Sequence, residues 1–143
     1  MSGVDFLDSN VLIYLFDPVD AARREIARKL LARAHYDGSA IISFQVVQET
    51  LNVLTGKFRE RMTQDDAREA LTDILIPLCH VQPSAGLYAF ALDIRERHRF
   101  SFHDSLIVAA ALEAGCERLL SEDLQHGQRI ESLVIIDPFL ETA

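Results

Sequence analysis

The segment VDFLDSNVLIYLF, residues 4–16, passes from a predicted strand into a predicted helix through an aspartate. Val4–Leu7 is a short, mostly apolar run that is typical of a strand, and residues 10–16 indicate a helical turn. Asp8 stands at the junction, where a buried charge is costly unless it has a partner. An acid before a helix is also a common N-cap. Because Ser9 and Asn10 are able to cap the helix instead, we expect Asp8 to point into a site.

The rest of the chain alternates short apolar strands with amphipathic helices. Because strands joined through helices form parallel sheets by right-handed crossovers, this alternation predicts a three-layer α/β/α fold with a central, mainly parallel sheet of about five short strands. At 143 residues the chain has the length of one domain, which we expect to span residues 1–143. The helix that begins at Thr63 is predicted from its capping-box spacing with Asp66. The other predicted strands are 40–43, 78–81, 118–121 and 133–136, and the longer predicted helices are 21–34, 44–54, 63–75, 87–97 and 101–114.

Composition places the chain among ordinary globular proteins. It is 49% hydrophobic and 25% charged, and no apolar run approaches the ~20 residues of a membrane helix. The first sixteen residues carry no basic side chain, unlike a signal peptide, so we expect a cytoplasmic protein without a membrane partner. Cys79 and Cys116 lack a partner motif, which argues against a disulfide framework or a thiolate zinc site.

The charge balance opposes broad binding to nucleic acid. The chain has 14 Lys and Arg against 22 Asp and Glu, a net charge of −8, which disfavours non-specific contact with a phosphate backbone. Net charge averages over all faces, and the basic residues are clustered, so nucleic acid is not excluded. A solvated helix face is the more common explanation of such clusters. The three clusters are Arg23, Arg24, Arg28, Lys29 and Arg33; Lys57, Arg59 and Arg61; and Arg95, Arg97 and Arg99.

Three further acids interrupt apolar sequence, and each has an ordinary structural explanation. Glu49 lies at the edge of a core stripe, where a long charged side chain usually reaches solvent or pairs with arginine. Asp104 has the capping-box spacing from Ser101, although its place on the helix directs its side chain to the face that packs against the sheet. Asp123 follows a predicted strand, and the pattern does not decide whether Glu122 or Asp123 points inward.

Taken together, the four acids are placed as a cation site would need them. Asp8 and Asp123 follow strand ends, where sites form in open parallel sheets, and Glu49 and Asp104 lie on core-facing helices. Carboxylates and water select hard cations, Mg²⁺ or Mn²⁺, over zinc. Such a site is able to activate water for attack on a phosphodiester.

Four motifs, in this order along the chain, resemble those of PIN-domain ribonucleases. They are FLDSNVLIY at 6–14, VVQE at 46–49, SFHDSLIVAAA at 101–111 and LLSEDLQHG at 119–127. The resemblance covers essentially the whole chain. In its size and lack of accessory domains, the chain most resembles the VapC-type toxins of type II toxin–antitoxin pairs.

This resemblance implies a Mg²⁺-dependent endoribonuclease, with Mn²⁺ as a substitute cation, that hydrolyses RNA phosphodiester bonds by metal-activated water. It also implies a homodimer and a cognate antitoxin whose C-terminal segment wraps the nuclease and occupies its groove. Many members have an aromatic residue before the third acid, where this chain has His103, and the difference bears on substrate recognition. By match to the family motifs, the catalytic and metal-binding residues are Asp8, Glu49, Asp104 and Asp123, and Asn10 and Ser121 match the polar positions behind them.

Other functions stay open at this point. A housekeeping RNA-processing nuclease of the same fold would carry the same motifs. A non-catalytic domain that binds or signals through an acidic pocket is the alternative from another class; a receiver-like version would need a late lysine, and no lysine follows Lys57. A phosphatase with an aspartate nucleophile would need a second acid where Asn10 stands. The histidines lack metal-ligand spacing, and none is assigned a catalytic role.

Overall fold

The computed structural model describes residues 3–140, and within them the strands form one six-stranded sheet. In chain order, the strands are β1 (Asp5–Leu7), β2 (Ala40–Ser43), β3 (Cys79–Val81), β4 (Arg118–Leu120), β5 (Arg129–Ile130) and β6 (Leu133–Ile136). Their order across the sheet is β3-β2-β1-β4-β6-β5, and all neighbours are parallel except β5 and β6. The predicted α/β class with a mainly parallel sheet is confirmed. The additional strand is β5, which is too short to show a sequence period.

The helices begin and end close to their predicted bounds. Thr63 and Asp66 form the predicted capping box, but the helix it opens changes to a π-helical turn at Leu71–Leu75. Pro77 lies two residues beyond this turn and has no N–H to donate, so a regular hydrogen-bond ladder does not continue there. The helices are α1 (Ser9–Tyr14), α2 (Ala21–Asp37), α3 (Phe44–Thr55), α4 (Gln64–Ala70), α5 (Ile76–Leu78), α6 (Ala85–His98) and α7 (Phe102–Glu113).

Strand β1 lies at the centre of the sheet and is covered on both faces. Successive strand side chains point to opposite faces, yet Phe6 and Leu7 are fully buried and Asp5 nearly so. Helix α7 is equally enclosed, because every residue from Ser105 to Ala111 is buried.

Among residues 3–140, each helix is too short or too polar to traverse a lipid bilayer.

The order in which strands are added to the sheet changes side at β1. From β1 the chain adds β2 and β3 on one side, and it later returns to pair β4 with the other side of β1. The crevice beyond the carboxyl ends of β1 and β4 is therefore the switch point of the sheet, where ligands bind in open α/β folds. Asp8 and Ser121 directly follow these strands, and the Asp8 N–H donates to the carbonyl of Leu120 at 3.0 Å. The fold itself thus brings the first and last acidic motifs together.

An ion pair fixes the register of β1 and β4 at their other ends. Asp5 and Arg118 are directly opposite each other in the ladder. The Arg118 guanidinium donates to both Asp5 oxygens, from Nε at 2.9 Å and from Nη2 at 2.6 Å. Asp5 is buried, while Arg118 is half exposed. A two-pronged arginine–carboxylate contact of this kind combines strength with defined geometry.

Replacing Arg118 with alanine should lower the free energy of unfolding by about 1–3 kcal/mol, because the buried Asp5 carboxylate would lose both donors. Urea unfolding measures the change. Arg129→Ala, at an exposed position on β5, is the matched control and should change stability by less than about 0.5 kcal/mol. Equal small effects for the two variants would show that the ion pair does not hold the strands.

Candidate active site

Asp8 is the most deeply buried of the four acids, with 4% of its surface exposed. Its Oδ1 accepts a hydrogen bond from the Ser9 N–H at 2.7 Å, and its Oδ2 accepts one from the Ser121 hydroxyl, also at 2.7 Å. Ser9 and Asn10, which were able to cap α1 instead, do not do so, because the helix begins at Ser9 and Asp8 is the N-cap. Asp8 therefore caps the helix and lines the crevice at the same time.

The surroundings of Asp8 make its negative charge costly. Its pKa is raised from 3.8 to about 6, mainly by burial and also by the charges of Glu49 and Asp123, while the hydrogen bonds from Ser121 and Ser9 act in the opposite direction. Both donors to Asp8 are neutral groups. The carboxylate is therefore held in place without a cationic side chain bonded to it among residues 3–140.

Glu49, on α3, shows the same conflict between charge and burial. Both of its carboxylate oxygens are shielded from solvent, and no donor in residues 3–140 meets them with good hydrogen-bond geometry. Burial raises the pKa of Glu49, and the charge of Asp104 raises it too, whereas Ser9, His103 and Gln45 lower it. The His103 Nε2 forms an ion-pair contact with Glu49 Oε2. Gln45 holds this neighbour in turn, since its Nε2 donates to the His103 carbonyl at 3.0 Å.

Asp104 lies in the first turn of α7 and is half-buried. Its backbone N–H donates to the Ser101 hydroxyl at 3.1 Å, so Ser101 caps the helix as expected. The return bond of a capping box is not formed, and within residues 3–140 the Asp104 carboxylate has no hydrogen-bond donor. The capping explanation accounts for Ser101 and leaves the Asp104 side chain available to a site.

Two consecutive acids after β4 point in different directions. Asp123 is exposed and accepts a hydrogen bond from Asn10 Nδ2 at 3.2 Å. Glu122 instead accepts from the Tyr14 hydroxyl and from Arg23 Nε, both at 2.7 Å. The charge of Asp123 helps to raise the pKa of Asp8, whereas Glu122 already forms an ion pair with Arg23. The geometry therefore favours Asp123 over Glu122 as the acid that faces the crevice.

Ser121 and Asn10 connect the two strand-end acids. The buried Ser121 hydroxyl donates to Asp8 and accepts from the Asp123 N–H at 3.1 Å and from Asn10 Nδ2 at 3.4 Å. The Asn10 Oδ1 also accepts from the Glu122 N–H at 3.3 Å. These contacts tie the loop after β4 to the start of α1, and both side chains lie against the acids.

The four acids form a row of electrostatic neighbours. Asp123 and Glu49 both perturb Asp8, and Asp104 perturbs Glu49. As the side chains stand, no three metal-ligating groups among residues 3–140 converge closely enough to hold an ion. The ligands on offer nevertheless fit a hard divalent cation, because they are carboxylate oxygens. Two of these oxygens, on Glu49, are buried without a well-aligned hydrogen-bond donor. The His103 imidazole contacts the carboxylate that such a cation would bind.

The basic cluster on α2 is largely bonded within the protein. Arg23 bonds to Glu122 and Asp20, Arg24 Nη1 donates to the Asp17 carbonyl at 2.7 Å, and Arg28 pairs with Glu25. For these three arginines, the contacts favour a structural role over a path for nucleic acid.

Sequence patterns missed two contacts of the site. The bond from Arg23 to Glu122 joins residues 99 positions apart, and the ion pair of His103 with Glu49 joins two helices. Neither contact has a local signature, because periodicity and capping rules describe only residues within a few turns. The one available signal was the unusual histidine before Asp104.

Comparisons with known proteins place the fold. A family model described as the PIN domain matches residues 6–129. No curated protein sequence gives a significant match.

Solved structures with low sequence identity share the architecture. VapC20 of Mycobacterium tuberculosis, described as a sarcin-ricin loop cleaving toxin, is 24% identical with a TM-score of 0.62, and the match covers 83% of this chain and 89% of that chain. A toxin–antitoxin complex from Klebsiella pneumoniae is 19% identical with a TM-score of 0.65, covering 91% and 95%. FitAcB from Neisseria gonorrhoeae is 16% identical with a TM-score of 0.62, covering 95% and 99%. At such identities the likeness establishes the fold.

The buried Asp8 carboxylate predicts a pH-dependent stability in the absence of metal. Because its pKa is raised in the folded state, the folded protein holds the proton more tightly than the unfolded chain does. The resulting stability is present below about pH 4 and is lost as the pH rises through about 6, a decrease of about 3 kcal/mol in the free energy of unfolding. Denaturant unfolding in EDTA from pH 4 to 7 measures this decrease, which Asp8→Asn should remove.

Asp93→Asn, on the exposed face of α6, is the matched control and should retain the pH dependence of the wild type. If the free energy of unfolding changed with pH in the same way for the wild type and Asp8→Asn, the raised pKa would not belong to Asp8.

Proposed function

The chain belongs to the PIN domain family, whose model matches residues 6–129, and from this premise we propose that it is a metal-dependent endoribonuclease and the toxin of a toxin–antitoxin pair. The family resemblance carried by the four sequence motifs is confirmed. The observation that carries the nuclease proposal is the buried Asp8 carboxylate at the switch point of the sheet, with Glu49 and Asp123 close enough to raise its pKa. Such perturbed carboxylates in a crevice are typical of catalytic sites.

The cation that we assign to this site is Mg²⁺, with Mn²⁺ as a substitute. Asp8, Glu49, Asp104 and Asp123 would hold it, since carboxylate and water oxygens are the ligands that these ions prefer. When bound, the ion supplies positive charge that makes water a stronger nucleophile and stabilises the negative charge gained by the phosphate. The repulsion between the acids, which adds to the effect of burial on the pKa of Asp8 in the absence of metal, would then be relieved.

The protein residues around the site orient the acids and accept a proton. The Ser9 N–H and the Ser121 hydroxyl fix the two oxygens of Asp8, and Asn10 Nδ2 orients Asp123. Both Glu49 oxygens are buried without a well-aligned donor, which leaves this carboxylate able to bind the cation or to accept the proton of the attacking water. His103 must move from Glu49 before the carboxylate takes this part.

The toxin assignment and its partners rest on the structural relatives. VapC20 is described as a toxin that cleaves the sarcin-ricin loop, and the Klebsiella pneumoniae structure is a toxin–antitoxin complex. Matches to these structures cover nearly all of their chains, so size does not set this chain apart from them. We accordingly propose RNA as the substrate class, a cognate antitoxin as the protein partner and a homodimer as the assembly.

Asp8→Asn and Asp104→Asn should each lower the rate of RNA cleavage by at least about 100-fold, because even residues that only contact metal ligands are worth 10–100-fold. The measurement is fragment formation from total cellular RNA with Mg²⁺, Mn²⁺ or EDTA. Asp8→Asn, purified identically, controls for contaminating ribonuclease, and Asp93→Asn, at an exposed position on α6, should cleave like the wild type. Equal cleavage by the wild type and Asp8→Asn, or cleavage that persists in EDTA, would contradict the proposal.

Expression in a bacterial host should separate a toxin from a housekeeping nuclease. Induction of the wild-type chain is expected to arrest growth, and induction of Asp8→Asn to equal protein levels is expected to leave growth unchanged. A toxin degrades RNA that the host needs, and the variant lacks the acid on which cleavage depends. Growth that the active wild-type enzyme does not affect would favour the RNA-processing alternative.

A further inference from the structure

Glu122 and Asp123 are adjacent in the chain, yet the structure uses them for different purposes. The Asp123 carboxylate accepts from Asn10 at the rim of the crevice, and the Glu122 carboxylate lies against Tyr14 and Arg23. Both acids directly follow Ser121, whose hydroxyl donates to Asp8. A defined site therefore needs a device that selects one acid over the other.

The carboxylate of Glu122 is bound from two elements. Its Oε1 accepts from the Tyr14 hydroxyl of α1 at 2.7 Å, and its Oε2 accepts from Arg23 Nε of α2 at 2.7 Å. The pKa of Tyr14 is raised to about 12 by burial and by its bond to Glu122, so the phenol stays protonated and remains a donor. Each carboxylate oxygen of Glu122 is thus occupied by a donor from outside the crevice.

Arg23 is itself held on several sides. Its Nη1 donates to Asp20 Oδ2 at 2.9 Å, and its guanidinium lies 5.4 Å from the centre of the Tyr14 ring and 5.8 Å from that of Phe139. The rings of Tyr14 and Phe139 pack edge to face, 4.9 Å apart. Stacking on aromatic rings and paired bonds to carboxylates are the geometries in which arginine is not replaceable by a flexible lysine. The guanidinium is therefore a fixed anchor.

We propose that Arg23 and Tyr14 are positioning residues that hold Glu122 away from the crevice, so that Asp123 is the acid of this loop that faces Asp8. The proposal rests on the proposed function, because it assigns Asp123 to the metal site. Arg23 also neutralises Glu122, which keeps a further negative charge from a region where Asp8 and Glu49 already repel each other.

The first test is made on the metal-free protein. Arg23→Met retains an apolar side chain but no donor, and Tyr14→Phe keeps the ring while it removes only the hydroxyl. Both variants should speed amide hydrogen exchange at Glu122 and Asp123, whose N–H groups bond to Asn10 and Ser121. Arg28→Met is the matched control, since Arg28 lies on the same helix in an exposed pair with Glu25. It should leave exchange at both amides unchanged.

The second test measures Mn²⁺ affinity by calorimetry without RNA, so it does not depend on nuclease activity. Arg23→Met and Tyr14→Phe should weaken binding by about 10-fold, the lower end of the range for residues behind a metal ligand. When Asp123 is already replaced by asparagine, Arg23→Met should weaken Mn²⁺ binding by less than about 2-fold. A residue that acts through Asp123 then has no carboxylate left to position. Arg28→Met should bind Mn²⁺ like the wild type.

The outcomes separate this inference from the proposed function. Unchanged Mn²⁺ affinity in Arg23→Met, or an equal loss with and without Asp123, would overturn the positioning role alone. A wild-type protein that binds no Mn²⁺ would contradict the metal-dependent function, and the inference would fall with it. Coupling of Arg23 to Asp123 in a protein that cuts no RNA would uphold the inference and overturn the nuclease.

Discussion

The buried carboxylate of Asp8 is the constraint on which the site depends. Asp8 directly follows the central strand, caps α1 and accepts a hydrogen bond from the Ser121 hydroxyl. A single residue therefore joins β1, α1 and the loop after β4. These two neutral donors compensate only part of the cost of burying a charge, and the pKa of about 6 reflects the remainder. Moving Asp8 would therefore disturb the helix start, the loop and the electrostatics of the crevice together.

The two ends of β1 treat buried acids in opposite ways. At the amino end, Asp5 receives both prongs of the Arg118 guanidinium and is a satisfied structural ion pair. At the carboxyl end, Asp8 receives neutral donors, and the nearby charges of Glu49 and Asp123 are negative. Because the second arrangement lacks a compensating cation bonded to Asp8 among residues 3–140, it stores unfavourable electrostatic energy that a bound metal ion would release. The contrast separates an acid that stabilises the fold from one that is suited to function.

Sequence reasoning succeeded where the physics is local. Apolar runs and capping residues located the strands and helices, and the parallel alternation placed Asp8 and Asp123 beyond strand ends at one edge of the sheet. It missed strand β5, which is too short to show a period, and the π-helical turn before Pro77. It left open whether Glu122 or Asp123 points inward, because that choice depends on contacts between distant residues. The side chain of Glu122 is directed by Tyr14 and Arg23, which lie about a hundred positions earlier, and no pattern within the loop encodes that choice.

The distribution of charge also constrains how an acidic chain can approach RNA. With a net charge of −8, it repels a polyanion at long range, and on α2 Arg23 and Arg28 are paired with carboxylates while Arg24 bonds a carbonyl. These three arginines are therefore already engaged within the protein, and the acids of the crevice carry no positive charge of their own that would attract a phosphate. A divalent cation among Asp8, Glu49 and their neighbours would reverse the local sign, so in the proposed nuclease the ion that activates water would also be what draws the scissile phosphate into the crevice. Binding and catalysis would then depend on the same acids.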